Sequence, residues 1–275
     1  ADAVVSIGCI EPHFIASFGG GYKNLIPGVA GRTTIARNHA LNCSPTTFNM
    51  VGQPIEGNPM RLDLEEAGRM LKPPVFIVNA VMNSAKQVVR IVAGDAVAAH
   101  RAGAEVSARL YGVHAAAPAD VVICSSHPMD QDFRQGGKAL TNTIWAVKPG
   151  GVMIIAVRAE EGLGVFGLAD RKLPLGRAAL KALAPVLLPL VPRLKLKSVG
   201  EEEKLFLYFA LQAMLRADLL MYAPTIPAAT RENLVFGRFF NSLEEAFQAA
   251  RQKVKPGAKV LVFPHAGVTY PYFAN

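Results

Sequence analysis

Strand-like and helix-like segments alternate along this chain, which predicts an α/β fold of two α/β domains. Three observations carry that expectation. Short Val- and Ile-rich runs are separated by segments of helical period, proline and glycine mark most of the boundaries, and the rhythm of elements changes near Gly112–Pro118. The expected domains are therefore 1–112 and 113–275, the second with a Rossmann-like strand–helix–strand core.

In chain order, Val4–Ile10 reads as a buried strand and Arg32–Leu41 has helical character. Met60–Leu71 is a clearer helix, with Leu62, Leu64 and Met70 among acidic residues, closed by Pro73-Pro74 because proline cannot continue a helix. Val75–Met82 and Val88–Val92 read as consecutive strands joined by the polar turn Asn83–Lys86, and Ala96–Tyr111 as an Ala-rich helix ending at Gly112. After the change of rhythm, Asp120–Cys124 is a strand and Gln131–Val147 a helix. Pro149-Gly150-Gly151 is a turn into the strand Val152–Val157. Glu201–Leu220 and Leu243–Val254 read as helices, and Lys259–Phe263 as a closing strand.

Composition excludes several classes. Of 275 residues 51% are hydrophobic and 18% charged, ample for a large core and unlike a disordered chain. The net charge of +8 is spread along the sequence. Its densest cluster, Arg193, Lys195 and Lys197, is met at once by Glu201, Glu202 and Glu203, and no basic stripe is interleaved with aromatics. The expectation is a preference for small anionic molecules, with no nucleic acid as partner. The most apolar stretch, Ala178–Leu190, is broken by Pro185 and Pro189, so no membrane partner is expected either. Cys9, Cys43 and Cys124 are odd in number and far apart, which argues against a disulfide scaffold and for a reducing, cytoplasmic setting.

Three stretches could carry chemistry. Residues 11–28 hold the successive glycines Gly19, Gly20 and Gly21, with Lys23 two positions on. Glycine backbone can approach a ligand closely, so this reads either as an anion-binding loop or as a turn whose glycines satisfy only backbone geometry. It is no Walker loop, because the GxxxxGK[ST] spacing is absent. His13 follows a strand and His39 lies on a short helix. A strand-end histidine is a natural acid/base position, although each histidine alone is more often structural. The third stretch, Cys124–Lys138, leaves a strand and opens a helix on which Gln135 and Lys138 lie three apart and could share a face that binds a carboxylate or phosphate. His265, just past the last strand, could face the same cleft but is assigned no role, and His100 and His114 show no polar neighbours arranged around them. A dinucleotide-dependent dehydrogenase is disfavoured, since no GxGxxG follows a strand.

The segment EPHFIASFGGGYKNLIPGVAGRTTIARNH resembles the nickel-pincer lactate racemase family: a histidine, a Gly-rich loop, a lysine ten residues after that histidine, Pro-Gly, and a second histidine sixteen beyond the lysine. The later QGGK is similar to that family's substrate-contacting segment. The resemblance implies that Lys23 holds a pyridinium mononucleotide with two sulfur arms, the nickel-pincer nucleotide, and that His39 is the protein's ligand to nickel. It implies that His13 is one of two acid/base histidines, and that Lys138 and Gln135 hold the carboxylate or carbonyl oxygen of a small anionic 2-hydroxy acid. The implied activity is racemisation or epimerisation by reversible hydride transfer, with cofactor-synthesis proteins as partners. The second histidine and a carboxylate-clamping arginine belong, in that family, to a stretch before the His13 motif, and Ala1 lies only twelve residues before it. The expectation is an incomplete N-terminal domain, with a non-catalytic nucleotide- or nickel-binding module as the alternative.

Overall fold

The structure, a computed structural model, describes the chain apart from residues 165–168, 170, 171, 173, 194–200, 274 and 275. Lys195 and Lys197 of the basic cluster lie outside the described residues. The chain divides into two compact units, Ala1–Gly112 and Val113–Asn275.

In the first unit β1 (Val4–Cys9) leads into a small hairpin, β2 (Pro12–His13) and β3 (Ser17–Phe18), then helices α1 (Arg32–Ala40) and α2 (Pro59–Arg69). The strands β4 (Val75–Met82) and β5 (Val88–Asp95) and the helix α3 (Ala98–Tyr111) follow. The sheet order is β1-β4-β5, with β1 parallel and β5 antiparallel to β4. Helix α2 starts where its chemistry dictates: the Asn58 side chain accepts from the Arg61 N–H at 3.2 Å and Pro59 occupies the first turn. Helix α3 packs on β4 and β5, and Gly103 admits no side chain there because a Cβ would enter Ile10. Ile10, Phe18, Ile55, Val81 and Ala104 form one core cluster of this unit. The residues Val5, Ile7, Phe76 and Ile91 of the same sheet are exposed.

The second unit comprises, with the boundary strand β6 (Gly112–His114), β7 (Ala119–Ser125), α4 (Phe133–Gly136), α5 (Lys138–Thr143), β8 (Val147–Ala156) and α6 (Arg177–Leu187). It continues with α7 (Glu201–Arg216), β9 (Ala217–Tyr222), α8 (Ala228–Arg231), β10 (Arg238–Phe240), α9 (Leu243–Arg251), β11 (Val260–Phe263) and β12 (Tyr270–Tyr272). Its five-stranded sheet has the order β10-β9-β8-β7-β11, every pair parallel. The α/β class with a parallel strand–helix core is thus observed, and Val121, Val152, Ile154, Leu220, Ala246 and Ala250 bury its centre.

Three elements differ from the sequence reading. The helix expected over Gln131–Val147 is broken into α4, α5 and a 3-10 turn at Ile144–Ala146, with Gly137 at the junction of α4 and α5. The glycine pair softens the helix, and Asp132 caps α4 by accepting from the Gln135 N–H at 2.7 Å. The helix expected over Glu201–Leu220 ends at Arg216, and Ala217–Leu220 belong to β9. That strand is buried between β8 and β10, and a short apolar run buried on both faces has no period that separates strand from helix. Likewise Pro149-Gly150-Gly151 lies within β8, where Gly150 takes φ 79° and the pairing with β7 shifts register. No helix among the described residues is long and apolar enough to cross a membrane.

Candidate functional site

The Gly-rich segment is buried from Ile15 to Tyr22. Ser17, Gly20 and Gly21 all take positive φ (59°, 75° and 63°), so the chain turns tightly here. A Cβ on Gly20 would stand 2.7 Å from both Asn79 Oδ1 and Ile10 Cγ1, and one on Gly21 would stand 3.1 Å from the His100 ring. Two of the three glycine N–H groups are taken up inside the protein. Gly21 N–H donates to Asn79 Oδ1 at 2.8 Å, and Gly19 N–H to the Glu11 carbonyl at 2.8 Å. What the structure displays for these glycines is therefore backbone geometry and close packing.

A buried polar framework holds the segment. Arg61, fully buried on α2, donates to the carbonyls of Ala16 (3.4 Å), Gly20 (3.2 Å) and Phe18. Burial lowers its pKa to about 10, with Glu65 opposing and Arg101 adding to the fall, so it stays charged at neutral pH. His100 Nε2 sits 2.8 Å from the Gly19 carbonyl, which requires its proton on that nitrogen, and Nδ1 then accepts from Arg101 at 3.1 Å. Burial first, then the charges of Arg61 and Arg101, push the His100 pKa down to about 3, although the bond to Gly19 works the other way. The buried carboxylate of Glu65 is gripped by Arg101 through two bonds of 2.7 and 3.0 Å.

His13, Lys23 and His39 are each held by anchored neighbours. His13 is paired with Ser17 across the β2–β3 hairpin, and its Nδ1 accepts from the N–H groups of Ala16 (3.2 Å) and Ile15 (3.4 Å). Lys23 is half-buried in a 3-10 turn, Gly21–Asn24, and its N–H donates to the Gly20 carbonyl at 3.2 Å. On one side Tyr22 lies so close to Gly68 of α2 that a Cβ there would enter its ring. On the other, the Asn24 amide donates to the Ile7 carbonyl at 2.8 Å and to Ser6 Oγ at 3.2 Å. His39 is half-buried in the last turn of α1, at the helix end that favours a cation. Asn38, beside it, donates to the Met60 carbonyl at 3.0 Å and Asp63 at 2.8 Å. Asn42 N–H donates to the His39 carbonyl at 3.2 Å, while the Asn42 amide donates to the Ile15 carbonyl at 2.8 Å. Asn58 reaches the same Ile15 carbonyl at 2.8 Å. One hydrogen-bonded framework thus links the backbone at His13, Lys23 and His39. Among the described residues no three of His, Cys, Asp and Glu gather as a metal site.

Gln135 and Lys138 belong to the second unit, on α4 and at the start of α5. The segment carrying them packs on the end of β7: a Cβ on Gly136 would enter Val157 and approach the Ser126 Cβ to 3.5 Å.

Residues 1–49 match the lactate racemase N-terminal domain family. Over 169 residues, 61% of this chain, the sequence is 37% identical to the lactate racemase of Thermoanaerobacterium thermosaccharolyticum and 34% identical to that of Lactiplantibacillus plantarum. This chain is related to the lactate racemases. The match spans 39% of the length of either curated lactate racemase. The solved lactate racemase apoprotein of T. thermosaccharolyticum superposes over 99% of this chain and 63% of its own, with TM-score 0.77 and 26% identity. A Thermotoga maritima protein of known structure, 16% identical, shares the fold over 99% of this chain and 67% of its own at TM-score 0.66.

Sequence reasoning did not find the framework residues Asn42, Asn58, Arg61, Glu65, Asn79 and His100. His100 in particular read as a histidine without polar neighbours, whereas it meets Gly19, eighty-one positions away, as well as Arg101. The one local cue was Asn58-Pro59, a helix-start signature that fixes where α2, and hence Arg61, begins.

Proposed function

We propose that this chain carries the cofactor- and substrate-holding residues of a nickel-dependent racemase or epimerase of small anionic 2-hydroxy acids, a cytoplasmic enzyme of the lactate racemase type. The observation that carries the reading is the hydrogen-bonded framework that anchors His13, Lys23 and His39 within the segment matching the lactate racemase N-terminal domain. The free thiols Cys9 and Cys124 suit a reducing compartment.

The donor set fits a nickel-pincer nucleotide. A half-buried lysine follows a tightly packed turn, and an imidazole stands at a helix C-terminus. Lys23 would hold the nucleotide covalently, and His39 would be the single protein ligand to nickel. When bound, that group supplies a reversible hydride acceptor.

The chain's own residues do the rest. The two backbone bonds to His13 Nδ1 select the neutral ring with its proton on Nε2, which orients a substrate oxygen by donation. To take the hydroxyl proton Nε2 must be the bare nitrogen, so the ring has to leave these two backbone bonds and carry its own proton on Nδ1 before it acts as base. Lys138 and Gln135 hold the carboxylate or carbonyl oxygen, where a cation and an amide stabilise negative charge. Cofactor-synthesis proteins would load the site.

The test is the mass of the peptide carrying Lys23, with nickel counted on the same sample, from cells that load a known lactate racemase. A sulfur-containing, nucleotide-sized adduct on Lys23 with about one nickel per chain is expected. Unmodified Lys23 without nickel, beside a loaded control, would overturn the proposal.

A further inference from the structure

The strand order of the second unit has one reversal. From β7 the chain steps outward through β8, β9 and β10, then returns to lay β11 on the other side of β7. In an open parallel sheet, ligands bind beyond the carboxyl ends of the strands that flank such a reversal, here β7 and β11. Each of these strands is followed within two residues by a histidine, His127 after Ser125 and His265 after Phe263.

The two imidazoles meet, with ring centroids 5.2 Å apart and planes tilted by 58°, and both are exposed. Asp130 Oδ2 stands 3.9 Å from His127 Nδ1. The segments that carry them are tied together. Gly267 N–H donates to the His127 carbonyl at 3.2 Å, and Gly267 accepts no Cβ because Ser126 O occupies its place. Asn142 of α5 donates to the Ala266 carbonyl at 2.9 Å and is buried, so the helix that begins at Lys138 is fixed to the residue after His265. Gly136, between Gln135 and Lys138, lies against Ser126. Three backbone segments therefore bring two histidines, a lysine and a glutamine to one end of one sheet.

We infer that His127 and His265 form, with Gln135 and Lys138, a crevice that recognises a 2-hydroxy carboxylate, the histidines reading the hydroxyl. A hydroxyl beside a carboxylate needs a cation for the one and a partner that can donate or accept for the other, which are the properties of ammonium and imidazole. A carboxylate alone would need only the lysine and the amide. The inference rests on the proposed function for the roles of Gln135 and Lys138, and it adds the two histidines as specificity-determining residues.

The test is the imidazole Cε1–Hε1 NMR spectrum of the whole chain, titrated with lactate and, separately, with propionate, which lacks the hydroxyl. His127→Gln and His265→Gln assign the two signals. Lactate is expected to shift both saturably below about 50 mM, propionate to bind at least about tenfold more weakly, and Lys138→Ala to weaken lactate at least about tenfold. No saturable shift at either histidine, or equal responses to lactate and propionate, would overturn the inference. Because this readout needs no cofactor, an adduct on Lys23 without a lactate response overturns the crevice alone. A lactate response with Lys23 unmodified overturns the proposed function alone.

Discussion

Acidification should unfasten the first unit through one side chain, His100. The folded protein holds this imidazole neutral, its proton on Nε2 against the Gly19 carbonyl and its other nitrogen against Arg101, with a pKa pushed from 6.5 to about 3 by burial and two neighbouring guanidinium groups. The unfolded chain takes up a proton on this residue as the pH falls through about 6.5, while the folded chain refuses it until about 3, so stability is full above that window and declines as the pH drops through it. The cost is about 2 kcal/mol at pH 5 and approaches about 5 kcal/mol near pH 3, since each pKa unit of difference is worth about 1.4 kcal/mol. The assay is the urea midpoint of peptides from residues 1–112, read by pulsed hydrogen exchange at pH 7 and pH 5. His100→Gln keeps an N–H donor and has no titrating ring. Wild type should lose about 2 kcal/mol more than the variant between the two pH values, roughly 1 M urea in midpoint. Equal losses in the two proteins would refute the reasoning, because the remaining ionisable groups are common to both.

Other substitutions test the same framework. Arg61→Lys leaves a single ammonium to serve carbonyls at Ala16, Phe18 and Gly20 and should destabilise the unit by about 3–5 kcal/mol in the same urea assay. Gly20→Ala forces a side chain at φ 75° against Asn79 and Ile10 and should cost about 2–4 kcal/mol. Gly31→Ala, where a Cβ meets nothing within 4 Å and φ is −68°, should change stability by no more than about 0.5 kcal/mol, which makes it the control. On the functional side, His39→Ala should leave the Lys23 adduct detectable by mass while bound nickel falls by at least about tenfold, measured on the same sample.

The pattern of spacing from His13 through Lys23 to His39, and the periodic or apolar character of most elements, is written locally and could be read without coordinates. Val4–Cys9, Val75–Met82 and Ala98–Tyr111 form where apolar period and punctuation place them, because neighbouring residues alone set those preferences. Where local cues are evenly balanced the reading went astray: Ala217–Leu220 became strand because β8 and β10 were there to pair with it. The Gly-Gly pair at 136–137 divided a helix that polar and apolar period alone would have carried through. Arg61, Glu65 and Asn79 sit among ordinary helix and strand residues in sequence, and a polar residue there reads as solvated. They are buried because chain closure brings Phe18, Arg101 and Gly21 to them from 36 to 58 positions away, where the desolvated charges and amides must find partners. The resemblance that residue identity and spacing carry therefore named the candidate chemistry. Only the tertiary fold decided what holds it still, because a buried hydrogen bond is specified by two distant segments at once.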